Sequence, residues 1–110
     1  MSQYIRVWAL LLFTWLPFES AGAESLELGK LVFLEKAEPP CSLCHTLKSA
    51  GSTGEIGPNL DELKPDEERV SNAVKNGVGT MPPYDEMLSE AEIAAVASYV
   101  AEAVLRENGR

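Results

Sequence analysis

The stretch Cys41-Ser42-Leu43-Cys44-His45 decides how this chain folds, and it holds both of the protein's cysteines and its single histidine. Two thiols three positions apart, followed at once by an imidazole, form the spacing of a covalent haem attachment site. Each thiol adds across one vinyl group of the porphyrin, and the imidazole then lies beneath the iron. The motif therefore predicts one haem c, attached at Cys41 and Cys44, with His45 as an axial ligand of the iron.

A Cys-x-x-Cys pair has three other interpretations: a thioredoxin-like redox pair, a structural disulfide, or half of a zinc site. A zinc site needs a second group of Cys or His ligands, and the sequence has no Cys or His outside the motif. A thioredoxin-like domain needs a βαβ pattern around the pair, which the flanking sequence does not show. Haem attachment is the favoured interpretation.

The amino terminus has the pattern of an export signal. Arg6 precedes the uncharged run Val7 to Phe18, and Ala21-Gly22-Ala23 places small residues where a signal peptidase would cleave. The run is shorter than an ordinary membrane span, so an uncleaved anchor is the less favoured alternative. We expect residues 1–23 to be a signal peptide cleaved after Ala23. Residues 24–110 would then be the mature domain in the periplasm, a compartment in which haem c can be attached.

The mature chain is long enough for one small domain, whose core a bound porphyrin would complete. The full sequence has 9 Lys and Arg against 17 Asp and Glu, a net charge of −8 that persists when Arg6 and Glu19 leave with the signal peptide. An acidic surface disfavours nucleic acid and anionic membranes as partners. We therefore expect no nucleic-acid binding and no stable membrane insertion after cleavage.

The hydrophobic pattern of the mature chain is helical, and no stretch alternates as a strand would. A first helix is predicted to end before Pro39-Pro40. A second is predicted over Pro65 to Asn76, with the proline in its first turn and Gly77 beyond its end. The last is predicted to begin with a capping box of Ser89 and Glu92.

Apolar residues at helical spacing predict which faces of these helices are buried. They are Leu28, Leu31, Val32 and Phe33 in the first helix, Val70, Ala73 and Val74 in the second, and Ile93, Val96, Ala97, Val100 and Val104 in the last. Between the first two helices, Ser49 to Gly57 is rich in Gly, Ser and Thr and is predicted to be a loop. The fold class is therefore predicted to be all-α.

A haem iron with one histidine needs a sixth ligand or an open site, and this choice separates electron transfer from ligand chemistry. Met81 and Met87 are the thioethers left after Met1 departs with the signal peptide. Met81 lies in a glycine-rich loop that can approach a flat ligand, and Pro82 biases it toward extended backbone. Met87 stands just before the last helix, where a methionine more often fills a core. We predict Met81 as the sixth ligand, with Met87 as the alternative.

These features resemble a class I cytochrome c over nearly the whole mature chain, from about Gly29 to Val104. The Cys41–His45 motif matches the family's haem attachment motif, and Met81-Pro82 matches its sixth-ligand motif. The resemblance implies the family's fold: amino- and carboxy-terminal helices that cross over a covalently bound haem, with one or two shorter helices and haem-covering loops. Gly29 with Phe33 resembles the family's amino-terminal helix pattern, in which a small residue lets the carboxy-terminal helix cross closely, and Tyr99 would be the aromatic residue opposite.

The stretch Gly57-Pro58-Asn59-Leu60 resembles the family's loop on the histidine side of the haem. The resemblance implies that the carbonyl of Pro58 accepts a hydrogen bond from His45 and raises its basicity. It also implies that Leu60 packs near the porphyrin ring.

The function implied by this resemblance is that of a periplasmic monohaem electron carrier rather than an enzyme. Its partners would be redox proteins, with a periplasmic dehydrogenase as donor and a cytochrome oxidase or another terminal acceptor. The motifs around Cys44, Pro58 and Met81, together with Ser89 to Val100, are similar to small cytochromes that serve periplasmic sulfite dehydrogenases. Cytochromes of much the same build serve other periplasmic dehydrogenases, and both a free shuttle and a bound dehydrogenase subunit remain open.

The alternative function is a haem-based ligand sensor or a peroxidase-like enzyme in which the methionine is displaced. A catalytic site of that kind needs a distal acid or base, and no histidine remains for the role. A second haem motif, which a dihaem peroxidase would need, is also absent from the sequence.

Overall fold

The structure is a computed structural model in which residues 15–17 and 21–109 are described. In chain order its elements are α1 (Ala21–Leu31), a π-helical turn (Val32–Lys36), α2 (Cys41–Cys44), β1 (Thr46–Leu47), a 3₁₀ turn (Lys48–Ala50), β2 (Ser52–Thr53), α3 (Leu60–Leu63), α4 (Glu67–Asn76) and α5 (Glu90–Asn108). Helices make up most of the described chain, which confirms the predicted all-α class.

The helix α1 begins at Ala21, so the predicted cleavage after Ala23 falls in its first turn. The remainder of the predicted signal peptide, apart from residues 15–17, lies outside the described residues. Within the described part of the chain, no helix is long and apolar enough to cross a membrane.

The helices α1 and α5 cross at Gly29, which has no side chain to keep them apart. A Cβ atom added at Gly29 would lie 2.2 Å from the carbonyl oxygen of Ala95 and 2.5 Å from the Cβ of Tyr99. In the π-helical turn that follows α1, the ring of Phe33 meets the ring of Tyr99 edge to face, with centroids 6.2 Å apart. The predicted close crossing of the first and last helices is confirmed.

The core lies between α5, α1 and the π-helical turn. Its largest fully buried side chains are Phe33, Leu47, Ile93, Val32, Val96 and Val104. Every apolar residue predicted on the inner face of α5 is buried. The predicted capping box is also present, because the Ser89 hydroxyl accepts the Glu92 N–H while the Glu92 carboxylate accepts the Ser89 N–H.

The helix α4 begins two residues later than predicted. Its N-cap is Asp66, which follows Pro65 in the chain. The Asp66 carboxylate accepts the Arg69 N–H at 2.8 Å. Pro65 therefore precedes the helix, because an aspartate side chain satisfies a free N–H group of the first turn. Gly77 follows the helix with a φ of 71°, as its predicted position beyond the carboxy end requires.

A short antiparallel ladder follows the haem motif, where the sequence predicts only a loop. Thr46 and Leu47 of β1 pair with Thr53 and Ser52 of β2. The Ser52 hydroxyl donates to the carbonyl of His45 at 2.9 Å and accepts the N–H of Leu47 at 3.0 Å. The prediction of a loop over Ser49 to Gly57 is wrong at Ser52 and Thr53, and strands of two residues are too short to show alternation. The two strands hold in place the backbone that follows His45.

Candidate haem-binding site

The haem motif forms one isolated helical turn, α2, between two extended residues. Pro40 precedes it with φ −65° and ψ 145°, and His45 follows it with φ −115° and ψ 136°. The His45 N–H donates to the carbonyl of Cys41 at 3.0 Å. A single turn places residues three apart on one side, so Cys41 and Cys44 line the same cavity, together with His45.

This cavity has a volume of about 870 Å³, within the range of cofactor pockets. Its wall brings together all six residues predicted for the haem site: Cys41, Cys44, His45, Pro58, Leu60 and Met81. The remaining wall is largely apolar and includes Phe33, Pro40, Ile56, Val70, Ala73, Val74, Val78, Pro82, Val96 and Val100. The predicted inner face of α4 is thus part of the cavity wall, which is why Val70 and Ala73 are only partly buried.

The His45 ring is held by two features of the loop beneath it. Its Nδ1 lies 2.7 Å from the carbonyl oxygen of Pro58, which can only accept, so Nδ1 carries the proton. In the neutral imidazole, the other ring nitrogen, Nε2, then carries the lone pair that can bind a metal. A Cβ atom at Gly57 would lie 2.6 Å from the ring Cε1, so only glycine leaves room for the imidazole.

The Met81 loop is closed by two backbone hydrogen bonds. The N–H of Val78 donates to the carbonyl of Met81 at 3.0 Å, and the N–H of Met81 donates back at 2.9 Å. A Cβ atom at Gly77 would lie 2.7 Å from the Met81 carbonyl oxygen. Gly79 has a φ of 56°, which a side chain would disfavour. The loop conformation therefore requires its glycines, and Met81 lies against the core with its side chain on the cavity wall.

Met87 is placed differently from both of its sequence interpretations. It is 50% exposed, so the expectation that it fills the core is wrong. It is also not among the residues that line the cavity. Its Sδ instead accepts the N–H of Glu38 at 3.2 Å. A methionine in a turn between helices can satisfy backbone groups, and sequence spacing does not reveal that use.

The two thiols are free in this structure, which does not show the disulfide of the alternative interpretation. Burial raises the pKa of the Cys41 thiol to about 11, because a thiolate would be poorly solvated in the cavity. The described residues contain no group of three or more His, Cys, Asp or Glu that could hold a bare metal ion. A haem iron needs fewer ligands from the protein, because the porphyrin supplies its equatorial ligands. The residues present therefore fit a haem.

Sequence reasoning missed two polar residues of the cavity wall. Tyr84 is 5% exposed, and its hydroxyl donates to the carbonyl of Pro39 at 2.8 Å. Arg69 is the one Lys or Arg side chain among the cavity-lining residues, and a guanidinium there fits the carboxylates that a haem carries. Arg69 lies three residues after the helix cap Asp66. That position in the sequence does not indicate that its side chain lines the cavity. Nothing local in the sequence marks Tyr84 as part of the cavity wall.

Comparison with known proteins relates the chain to cytochromes. The family model described as "Cytochrome C oxidase, cbb3-type, subunit III" matches residues 30–100. The crystal structure of the c-type cytochrome SorU from Sinorhizobium meliloti is similar with a TM-score of 0.72 and 56% sequence identity, over 74% of this chain and 93% of that one. No curated protein matches the chain.

The chain belongs to the cytochrome c family. Its helical fold is that of a class I cytochrome c, as the resemblance of its motifs implies. Membership of this family implies haem and iron binding, a role in electron transport, and redox proteins as partners.

Proposed function

We propose that this protein is a periplasmic monohaem cytochrome c that carries single electrons between a dehydrogenase and a terminal acceptor such as a cytochrome oxidase. The observation that carries the proposal is the convergence of both thiols, His45 and Met81 on one apolar cavity. Such a cavity has two covalent anchors and two axial donors of different chemistry.

Each residue of the site then has a definite role. The Cys41 and Cys44 thiols would hold a haem covalently through two thioether bonds. His45 would bind the iron through Nε2, and the Pro58 carbonyl fixes its ring and increases its basicity. Met81 would supply the sixth ligand, and Leu60, which lines the same cavity, would pack near the ring. The bound haem supplies an iron that cycles between Fe(III) and Fe(II).

The surrounding protein favours rapid electron transfer in two ways. The imidazole and the Met81 loop are both held by hydrogen bonds, and glycines leave room for the close contacts around them. Ligands held in this way move little between oxidation states, so little reorganisation accompanies the transfer. The thioether of Met81 favours Fe(II), and an apolar wall disfavours the extra charge of Fe(III). Both effects raise the reduction potential.

We further propose that the electron donor is a periplasmic sulfite dehydrogenase. It is supported by the motifs that this chain shares with cytochromes serving such enzymes, and by its 56% identity to SorU. Export by a signal peptide of residues 1–23, cleaved after Ala23, accompanies this proposal. The amino-terminal residue of the protein purified from the periplasm tests the export proposal, and Glu24 is expected.

The experiment that tests the function is an optical spectrum of the purified protein, oxidised and reduced, with and without carbon monoxide. A six-coordinate low-spin haem that does not bind carbon monoxide rapidly is expected. Rapid binding to the unmodified protein would contradict the carrier and favour a ligand sensor or a peroxidase-like enzyme. Haem that leaves the polypeptide in acid acetone would contradict covalent attachment. Replacement of Cys41 or Cys44 by serine is expected to reduce the yield of holoprotein sharply.

A further inference from the structure

Two hydrogen bonds tie the turn after Met81 to the chain just before the haem motif. The Tyr84 hydroxyl donates to the carbonyl of Pro39 at 2.8 Å. The Sδ of Met87 accepts the N–H of Glu38 at 3.2 Å. The bonded residues are 45 and 49 positions apart in the chain. These contacts therefore join the segments that carry the two proposed axial ligands directly, without passing through the helix core.

Tyr84 can hold the Met81 loop in place because its backbone is also hydrogen-bonded. Its N–H donates to the carbonyl of Val74 in α4 at 2.8 Å, and its carbonyl accepts the N–H of Leu88 at 2.8 Å. The side chain is buried and lines the cavity that Met81 also lines. With both the backbone and the hydroxyl bonded, the Met81 loop cannot shift relative to Pro39 without breaking one of these bonds.

Among the described residues, the Tyr84 hydroxyl is the one donor to the carbonyl of Pro39. Neither Pro39 nor Pro40 has an N–H, so this segment cannot form a regular backbone ladder. A partly buried carbonyl left without a donor is destabilising. Burial raises the pKa of the Tyr84 phenol to about 12, so the hydroxyl keeps its proton at neutral pH and remains a donor.

We propose that Tyr84 is a positioning residue for the sixth ligand, whose bond to Pro39 sets how far the Met81 loop stands from the haem attachment turn. This inference rests on the proposed ligation by His45 and Met81. Without the hydroxyl, the loop keeps its anchor at Val74 but loses its connection to Pro39. Met81 then leaves the iron more often.

The test compares Tyr84→Phe with Tyr99→Phe in the holoprotein. Tyr99 is the matched control, because it is a buried tyrosine whose hydroxyl also has one partner, Ser49 Oγ at 3.3 Å, and it does not line the haem cavity. Loss of one hydrogen bond in Tyr84→Phe is expected to make carbon monoxide binding to the reduced protein about fivefold faster. In the oxidised protein, the weak red absorption of methionine-ligated haem is expected to disappear at a lower pH than in the wild type. Tyr99→Phe is expected to change neither property.

Two results would overturn the proposal. One is a Tyr84→Phe protein whose carbon monoxide rate and red absorption match those of Tyr99→Phe, even if both unfold more easily than the wild type. The other is a Met81→Ala protein that stays closed to carbon monoxide, since Met81 would then not be the ligand and the proposed function would fail with it. A reactive Met81→Ala beside an unaltered Tyr84→Phe overturns the positioning role alone.

Discussion

At the scale of single residues, the surroundings of a methionine decide whether its sulfur is free to bind a metal. Met81 packs against the core and lies on the cavity wall, in a loop that its glycines and two hydrogen bonds define. Met87 is half exposed, and its sulfur already accepts the N–H of Glu38. The two side chains have the same chemistry, but only Met81 shares a cavity with His45.

Replacement of each methionine by alanine is therefore expected to have different effects. Met81→Ala removes the thioether, so the holoprotein should bind carbon monoxide readily, and its reduction potential should fall because Fe(II) loses a favourable ligand. Met87→Ala should do neither. Carbon monoxide titration and potentiometry of both variants measure these effects. The opposite pattern would identify Met87 as the ligand and contradict the proposed site.

The residues of the site differ in how far the sequence reveals them. Cys41, Cys44 and His45 follow from local spacing, because attachment to one porphyrin demands that spacing. Pro58 needed a family resemblance, since Gly-Pro alone indicates only a turn. Tyr84 could not be predicted, because nothing local relates it to a carbonyl 45 residues earlier. Contacts of that kind depend on the tertiary fold.

At the scale of helices, the crossing at Gly29 makes a specific prediction. Gly29→Ala adds a methyl group where Ala95 O would be 2.2 Å away, so α1 and α5 must separate. Overpacking of this kind typically costs about 1–3 kcal/mol, which outweighs the better helix propensity of alanine. Denaturant unfolding of the holoprotein measures the loss. Gly109→Ala is the control, because the nearest atoms to its added Cβ would be 3.8 Å away, and it should be close to neutral. Equal stability of the two variants would contradict a tight crossing.

The first turn of α5 predicts a pH dependence of stability. The pKa of the Glu92 carboxyl is lowered, chiefly by Lys36 with Nζ at 2.7 Å and then by hydrogen bonds with Ser89. A lowered pKa means that the ionised carboxylate stabilises the fold. That contribution is present above the ordinary carboxyl pKa and is lost as the pH falls through the lowered value.

Glu92→Gln is therefore expected to be less stable than the wild type at neutral pH, with the difference shrinking toward zero in acid. Thermal unfolding of the holoprotein across this pH range measures it. Glu90→Gln, in the same helical turn, is the control for the loss of one charge near the helix end. If the loss of stability in Glu92→Gln did not change with pH, the shape of the side chain rather than its charge would matter at this cap.

The helices also show why some secondary-structure elements could be predicted from the sequence and others could not. The helix α5 could be predicted from its capping box to its inner face, because one long apolar stripe and one cap agree. The start of α4 was wrong because both Pro65 and Asp66 suit a helix start, and the local pattern does not rank them. Strands of two residues, Thr46–Leu47 and Ser52–Thr53, are below the length at which alternation is visible. They form because Ser52 can satisfy buried backbone groups.

At the scale of the whole molecule, an acidic protein surrounds an apolar opening. Ile56 and Val78 line the cavity and are 74% and 64% exposed, so the opening offers apolar contact to a partner. The chain as a whole carries a net charge of −8. Apolar contact has short range, whereas charge acts before contact and mainly raises the association rate. The two features therefore suit different stages of an encounter with a redox partner.

If the acidic surface guides that encounter, the second-order electron-transfer rate with the natural partner should fall as salt is added. Exposed charges are screened over about 8 Å at physiological ionic strength, and steering typically contributes about tenfold or more at low salt. Stopped-flow mixing at several salt concentrations measures the rate. The acids expected to matter are Glu55, Asp85 and Glu86, which are exposed and adjoin the loops of the cavity.

Neutralising each of these three acids to its amide should slow association and flatten the salt dependence, while Glu27→Gln on α1 should have a smaller effect. Glu27 is the suitable control because it is also exposed, whereas no residue within two positions of it in the chain lines the haem cavity. A rate that does not change between low and high salt would contradict steering. Apolar contact at Ile56 and Val78 would then be the better account of docking. The assignment as an electron carrier would stand, because it depends on the residues inside the cavity rather than on the charges around it.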